Sequence, residues 1–315
     1  MNPIVVVVIA AAVFILGMLC GISIYFFKFT FERKPQKDIE GFMDDRFEII
    51  PECGKEMYIT GRKWLESADK QPLEIKSRDG LTLRGEFIEN PNARGIVAMF
   101  HGYRSIPQAD FTAALKDVYD LGYSLFLANQ RACGASEGKY ITFGVKERYD
   151  CVDWIEELNC RYGAETPIFL DGISMGAATV LAATDLSLPA NVRGVIADCG
   201  YTSPSEILTH VMRRWFKLRR FPFYYTVALI VKLKLKFGFK DFSTEDVMTR
   251  CNIPIFFAHG EDDDFVPYKM SVRNYEACAA PKRFFSAKGA AHGEAYLIDP
   301  DGYKKALEEF LEVYG

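Results

Sequence analysis

The chain has 315 residues, 49% of them hydrophobic and 25% charged, with 38 Lys and Arg against 42 Asp and Glu and a formal net charge of −4. This is globular composition without the acidic or basic excess that points to nucleic acid, and the length allows one large domain or two ordinary ones. No internal repeat or low-complexity tract interrupts it.

In chain order the first element is apolar. Residues 4–27, IVVVVIAAAVFILGMLCGISIYFF, form a run of 24 without a charge, long enough to cross the hydrocarbon core of a bilayer as a tilted helix. A cleaved signal peptide has a basic start and a shorter apolar stretch, so an uncleaved transmembrane anchor over residues 1–27 is expected. Lys28, Arg33, Lys34 and Lys37 follow the run and MNP before it holds no charge. The positive-inside rule therefore places the rest of the chain in the cytoplasm. The seven cysteines outside the run are scattered, with no CxxC pair, which reads as reduced thiols rather than a disulfide framework, a zinc site or a redox site.

Residues 28–66 read as a juxtamembrane connector with one helical segment, KEMYITGRKWLES. The stretch LEIKSRDGLTLRGEFIE alternates as two strands joined at Asp79-Gly80, a hairpin signal. Short, continuous apolar runs then follow at 95–100, 124–129, 168–172, 194–199 and 253–259, as expected of parallel strands buried on both faces. Helix-like segments separate them, FFSAKGA supplies a last strand, and DGYKKALEEFLEVYG a closing helix. The predicted domain is α/β over residues 67–315, with a mainly parallel sheet and helices on both faces. One insertion breaks the alternation, at about 202–247. Nine Lys/Arg and no acid lie between Met212 and Lys240, among many aromatics, so a helical lid that also touches anionic lipid is expected.

The sequence FLDGISMGAA places Ser174 between Gly172 and Gly176, after a buried strand and before a small-residue helix. A nucleophile elbow needs this setting: the serine sits on a strained turn at the sheet edge, and the glycines admit neighbouring backbone. A serine hydroxyl also needs a base, and the chain has four histidines. His101 ends a strand beside Gly102 and would shape an oxyanion loop. His210 lies in the insertion, and His259 begins the acidic loop HGEDDDFVP. His292, in the small-residue loop GAAHGEAY after the last strand, is the candidate base. The acid that orients it is Glu261, Asp262, Asp263 or Asp264, with Asp198 as a weaker fifth choice. Oxyanion donors are expected from the backbone N–H groups of Met175, after the nucleophile, and of Tyr103.

FHGY (100–103), NQRACGASEG (129–138), DGISMGAAT (171–179), HGEDDDFVP (259–267) and GAAHGEAY (289–296) together resemble the α/β-hydrolase superfamily. They look most like its bacterial esterase, thioesterase and aminopeptidase-like branch. The resemblance implies the α/β-hydrolase fold, a Ser174–Asp263–His292 triad, and no cofactor or metal. It carries the acid to Asp263 through His259, Gly260, Asp263, Val266 and Pro267. Relatives usually read Asp-x-Arg-x-His-Gly-x-Ser where this chain has Asn129, Arg131, Cys133, Gly134 and Ser136, a departure expected in a loop walling the pocket. Cys133 has no partner that would make it a nucleophile.

The expectation is thus a membrane-anchored serine esterase or thioesterase, with Trp215, Phe216, Phe221, Phe223, Tyr224 and Tyr225 pointing to an apolar acyl or lipid-like substrate. The rival on the same machinery is an aminopeptidase or amidase; an aminopeptidase would need acids to hold the substrate's amino terminus, which the basic insertion lacks. A non-catalytic scaffold would lack a triad residue.

Overall fold

The structure is a computed structural model that describes residues 2–315. Its centre is one eight-stranded sheet in the order β1-β2-β4-β3-β5-β6-β7-β8. β1 (Gln71–Lys76) and β2 (Thr82–Ile88) form the predicted antiparallel hairpin. They turn through Gly80 at φ +86°, a left-handed conformation that glycine adopts without steric cost. β2 also runs antiparallel to β4 (Ser124–Ala128). From β4 onward every pairing is parallel, through β3 (Ile96–Phe100), β5 (Ile168–Ile173), β6 (Val192–Asp198), β7 (Ile255–Gly260) and β8 (Lys282–Ala287).

The strands are apolar throughout because both faces are covered. In β3, Ile96, Ala98 and Phe100 enter one core, with Trp154 and Leu181. Val97 and Met99 enter the opposite core, with Leu115 and Phe310. The two-residue period of the strand directs alternate side chains to opposite helical layers. This is the α/β-hydrolase fold. The chain order reverses between β3 and β5, so the crevice at their carboxyl ends is where open α/β sheets take ligands.

The N-terminal helix runs Pro3–Phe31, one turn beyond the apolar stretch read from sequence. At about 1.5 Å per residue it is roughly 43 Å long, and it is long and apolar enough to cross a membrane. Residues 4–18 are exposed and Leu19 and Ile22 half-buried, while Ser23, Phe27 and Phe31 are buried at four-residue spacing. Residues 28–66 are more than a connector. Helices Ile39–Ile49 and Glu52–Ser67 pack on the domain, and the Tyr58 hydroxyl donates to the carbonyls of Met43 and Ala109.

Between β6 and β7 the insertion folds as helices Pro204–Arg214, Phe223–Leu235 and Thr244–Met248. A third apolar cluster joins Phe27 and Phe31 of the N-terminal helix to Tyr224, Val227 and Val231 of the insertion and to Met175. Three separate stretches of sequence meet in it.

Candidate active site

Ser174 lies between β5 and the helix Met175–Ala183, with φ +58° and ψ −111°. A non-glycine residue in that region is strained and persists only where its surroundings enforce it. Here they do. A Cβ on Gly176 would lie 1.8 Å from the Phe100 carbonyl oxygen, and one on Gly172 would meet the Gly176 backbone at 2.4 Å. Only glycine at both positions lets helix, strand and turn close to this degree. The Ser174 N–H donates to the Asp198 carbonyl at 2.8 Å, which fixes the turn against β6.

His292 follows β8, and its Nε2 lies 2.9 Å from Ser174 Oγ. Its Nδ1 is 2.7 Å from Asp263 Oδ2. An ionised carboxylate only accepts, so Nδ1 carries the hydrogen and Nε2 presents its lone pair to the serine hydroxyl. The Phe265 ring stands 5.0 Å from the imidazole, centroid to centroid. The Arg46 guanidinium, from the segment before the sheet, donates to the Gly293 carbonyl at 2.9 Å and holds the histidine loop.

Of the four loop carboxylates, Asp263 alone is buried and reaches His292. Glu261 and Asp262 are exposed, and Asp264 pairs with Arg214 at 3.0 Å. Asp263 Oδ1 accepts from the N–H groups of Phe265 and Val266 at 2.9 and 2.8 Å. Its Oδ2 also faces His259 Nε2 at 3.0 Å. The carboxylate thus lies between two imidazoles. Burial pushes this carboxyl up, but hydrogen bonds from His259 and His292 outweigh it and hold the group well below the usual carboxylate value. Asp198, the fifth candidate, offers its backbone carbonyl to Ser174.

The remaining histidines have other partners. His101 is fully buried, takes a hydrogen bond at Nε2 from the Gln130 N–H at 3.0 Å, and pairs at Nδ1 with the Gly102 carbonyl. His210 pairs with the Asp264 carbonyl. Sequence reading set His259 aside as part of the acid loop. That it clasps Asp263 follows from a tight turn that local sequence does not announce.

The loop carrying Tyr103 folds over the serine. The Gly102 N–H donates to Asp110 at 2.7 Å, and a Cβ on Gly102 would lie 3.5 Å from that of Ser174. Met175 opens its helix, so its N–H has no intrahelical acceptor. Cys199, Asp263 and His292 bring possible metal-ligating atoms within 4.8 Å of one another. Two of these three groups are already engaged: His292 hydrogen-bonds both Asp263 and Ser174.

Two cavities meet at Ser174. One, of about 260 Å³, is apolar and bounded by Tyr103, Met175, Tyr201 and the insertion. The other, about 280 Å³, has a mixed lining in which Asp45, Arg46, Arg104, Asp110 and His292 stand beside Phe42, Ile49, Ile173 and Phe265. Trp215, Phe216, Phe223 and Tyr224 line the apolar cavity as the sequence suggested, whereas Phe221 and Tyr225 face outward. Residues 129–138 do not line it. Instead Arg33 donates to the carbonyls of Ser136 and Gly134 at 2.6 and 2.7 Å, so this loop docks the end of the N-terminal helix. Arg131 is held there between Asp150 and Asp79.

Comparison with known proteins agrees with this architecture. The family model described as "Serine aminopeptidase, S33" matches residues 91–239. The uncharacterized protein YqkD of Bacillus subtilis is 25% identical over 250 residues, 78% of this chain and 81% of YqkD. Protein bem46 of Schizosaccharomyces pombe is 23% identical over 268 residues, 83% and 82% of the two chains. The Pyrococcus furiosus esterase Pf2001 superposes with a TM-score of 0.64 at 23% identity, covering 79% of this chain and 93% of that protein.

Proposed function

We propose, from the premise that this chain is a member of the α/β-hydrolase superfamily, that it is a serine hydrolase cleaving carboxylic esters, with thioesters next. The observation that carries this reading is the unbroken relay from Ser174 Oγ to His292 Nε2 at 2.9 Å and from His292 Nδ1 to Asp263 at 2.7 Å. In this mechanism Ser174 attacks the acyl carbonyl while His292 Nε2 takes the hydroxyl proton. Asp263 stays ionised, fixes the imidazole tautomer and stabilises the imidazolium. The oxyanion accepts from the Met175 and Tyr103 N–H groups, each worth about 2.7–4 kcal/mol of transition-state stabilisation. Collapse expels the alcohol, which takes the proton from His292. Water activated by the same imidazole then attacks the acyl-enzyme, releasing the acid and restoring the Ser174 hydroxyl.

The family description raises an aminopeptidase as the second reading. That activity needs a carboxylate for the substrate's ammonium group, and among the described residues Arg104 is the only charged side chain lining the apolar cavity. In the second cavity Asp45 is paired with Lys37, and Asp110 with the Gly102 N–H and Ser105. Ester cleavage fits the site better. The N-terminal helix is the membrane anchor in this reading, and the basic flank at Lys28, Arg33, Lys34 and Lys37 puts the domain on the cytoplasmic side.

The full chain in detergent micelles, beside Ser174→Ala, tests the reading. A fluorophosphonate probe labels the wild type and not the variant, and p-nitrophenyl esters are turned over faster than aminoacyl p-nitroanilides. A folded wild type that takes no label overturns the hydrolase reading in favour of a binding scaffold. A reporter fused to the C-terminus that is active only outside the cytoplasm overturns the orientation.

A further inference from the structure

The apolar cavity beside Ser174 is not built by the hydrolase domain alone. Phe26, Phe29 and Phe31, from the last turns of the N-terminal helix, form part of its lining. Phe216 of the insertion stands edge-on to Phe26 and Phe29, with ring centroids 5.2 and 5.7 Å away. The helix end is fixed there by polar contacts from the residues that flank the nucleophile. The Tyr103 hydroxyl donates to the Thr30 carbonyl at 2.7 Å, and Arg104 donates to the carbonyls of Phe29 and Glu32. The Phe31 carbonyl accepts from the Ile141 N–H at 2.9 Å. A helix that served only as a tether would need none of these.

The same helix is bare upstream, where residues 4–22 expose almost nothing but apolar side chains. Its neighbour, Phe223–Leu235, buries Tyr224, Val227 and Val231 and leaves Tyr225, Leu229 and Leu233 more than half exposed at four-residue spacing. Phe221 continues that stripe, 75% exposed. Removing such apolar surface from water is favourable. The bilayer that takes the N-terminal helix is the natural cover for a stripe on the helix packed beside it, and Lys232 and Lys234 suit its anionic surface. The wall of the cavity and the surface facing lipid are then two sides of one helix pair.

We infer that the substrate is a membrane-resident ester with one long apolar acyl chain, and that Phe26 and Phe29 of the N-terminal helix are specificity-determining residues contacting that chain. The inference rests on the hydrolase reading above and deepens it. The apolar cavity holds the acyl chain, the carbonyl lies at Ser174, and the second cavity, of mixed lining with the charged side chains of Arg46 and Arg104 and the His292 imidazole, holds the alcohol side. Charged side chains gather in the second cavity while the first has almost none, as suits an ester with one apolar chain and a more polar alcohol. A small water-soluble ester gains nothing from a wall supplied by a membrane helix.

The test uses the full chain in phospholipid vesicles, with p-nitrophenyl acetate, octanoate and palmitate. Wild type favours the longer chains. In Phe26→Ala and Phe29→Ala the palmitate-to-acetate ratio of kcat/KM falls about tenfold as chain contacts are lost, and Phe26→Trp moves the optimum toward octanoate by filling the cavity. Chain-length profiles identical to wild type in all three variants overturn the inference. A second measurement does not depend on hydrolysis. Ser174→Ala protein in vesicles is irradiated with a monoacylglycerol whose palmitoyl-length chain ends in a diazirine. Crosslinks at residues 26–31 and in the insertion support the inference, and crosslinks confined to residues 4–22 overturn it. If the wild type cleaves no ester while the crosslinks map to 26–31, the hydrolase reading fails and the chain-binding cavity stands.

Discussion

The hydroxyls of Ser23, on the N-terminal helix, and Thr226, on the insertion helix Phe223–Leu235, lie 2.6 Å apart and hydrogen-bond across the two helices. Both are polar residues in otherwise apolar surfaces, and each also has a backbone partner on its own helix. With Ser23 donating to the Leu19 carbonyl at 2.7 Å, the Thr226 hydrogen is shared between Ser23 Oγ and the Phe223 carbonyl, 3.0 Å away. The pair links a helix with bare apolar faces to the segment that covers Ser174.

A double-mutant cycle with Ser23→Ala and Thr226→Val measures that link. The backbone partners soften each single change, so the coupling is expected near 0.6 kcal/mol and no more than about 1.7. Thermal melts of the full chain in one detergent check it. Additive single effects would mean that the helices are held by aromatic packing alone.

Gly176→Ala is expected to unfold the elbow rather than merely slow the enzyme. The new Cβ would sit 1.8 Å from the Phe100 carbonyl oxygen, a backbone atom of the central strand β3 that no rotamer change can move aside. Overpacking of this kind costs about 3 kcal/mol or more. A melting temperature within a few degrees of wild type, about 2–4 °C per kcal/mol for a chain of this size, would refute the close approach.

His259→Phe keeps an aromatic ring at this position and removes one of the two imidazole donors to Asp263. The atoms facing His259 Nε2 are the Asp263 carboxylate and the Val266 carbonyl at 3.0 and 2.9 Å, both acceptors, so Nε2 carries a hydrogen in the wild type. Its loss leaves a buried carboxylate short of a partner and costs about 1–3 kcal/mol at neutral pH. The pH dependence follows from the direction of the shift. Asp263 titrates below its unfolded value of 3.8 in the native chain. Its stabilising contribution is therefore present above that value and is lost as pH falls through the lower native one. In the variant the native carboxyl rises, the contribution shrinks, and acid unfolding begins at higher pH. Circular dichroism against pH on both proteins reads this, and coincident acid transitions would show that His259 does not hold the carboxylate.

Much of this arrangement is legible in the chain. The five buried runs, the hairpin at Asp79-Gly80 and the elbow at Ser174 are local signals, because strand burial, turn chemistry and close backbone approach each demand particular residue types within a few positions. The selection of Asp263 from four adjacent carboxylates is different. It depends on which side chain the loop turns inward, where Phe265 and Val266 N–H groups and two imidazoles await it. Family pattern indicated that residue, but composition did not.

The sequence by itself determined the layer architecture, the apolar N-terminal helix and the order Ser174, Asp263, His292 along the chain. Tertiary structure alone decided what lies across from what. Phe26 and Ser174 are separated by nearly half the chain and border one cavity. Likewise the loop at 129–138 docks Arg33 instead of walling the pocket. The physical reason is that apolar periodicity tells a helix which side chains to bury and not against which partner. A helix such as Pro3–Phe31, apolar on every side through most of its length, carries no stripe to show where its buried end begins. That end is set by the shape of the cluster that receives Phe27 and Phe31.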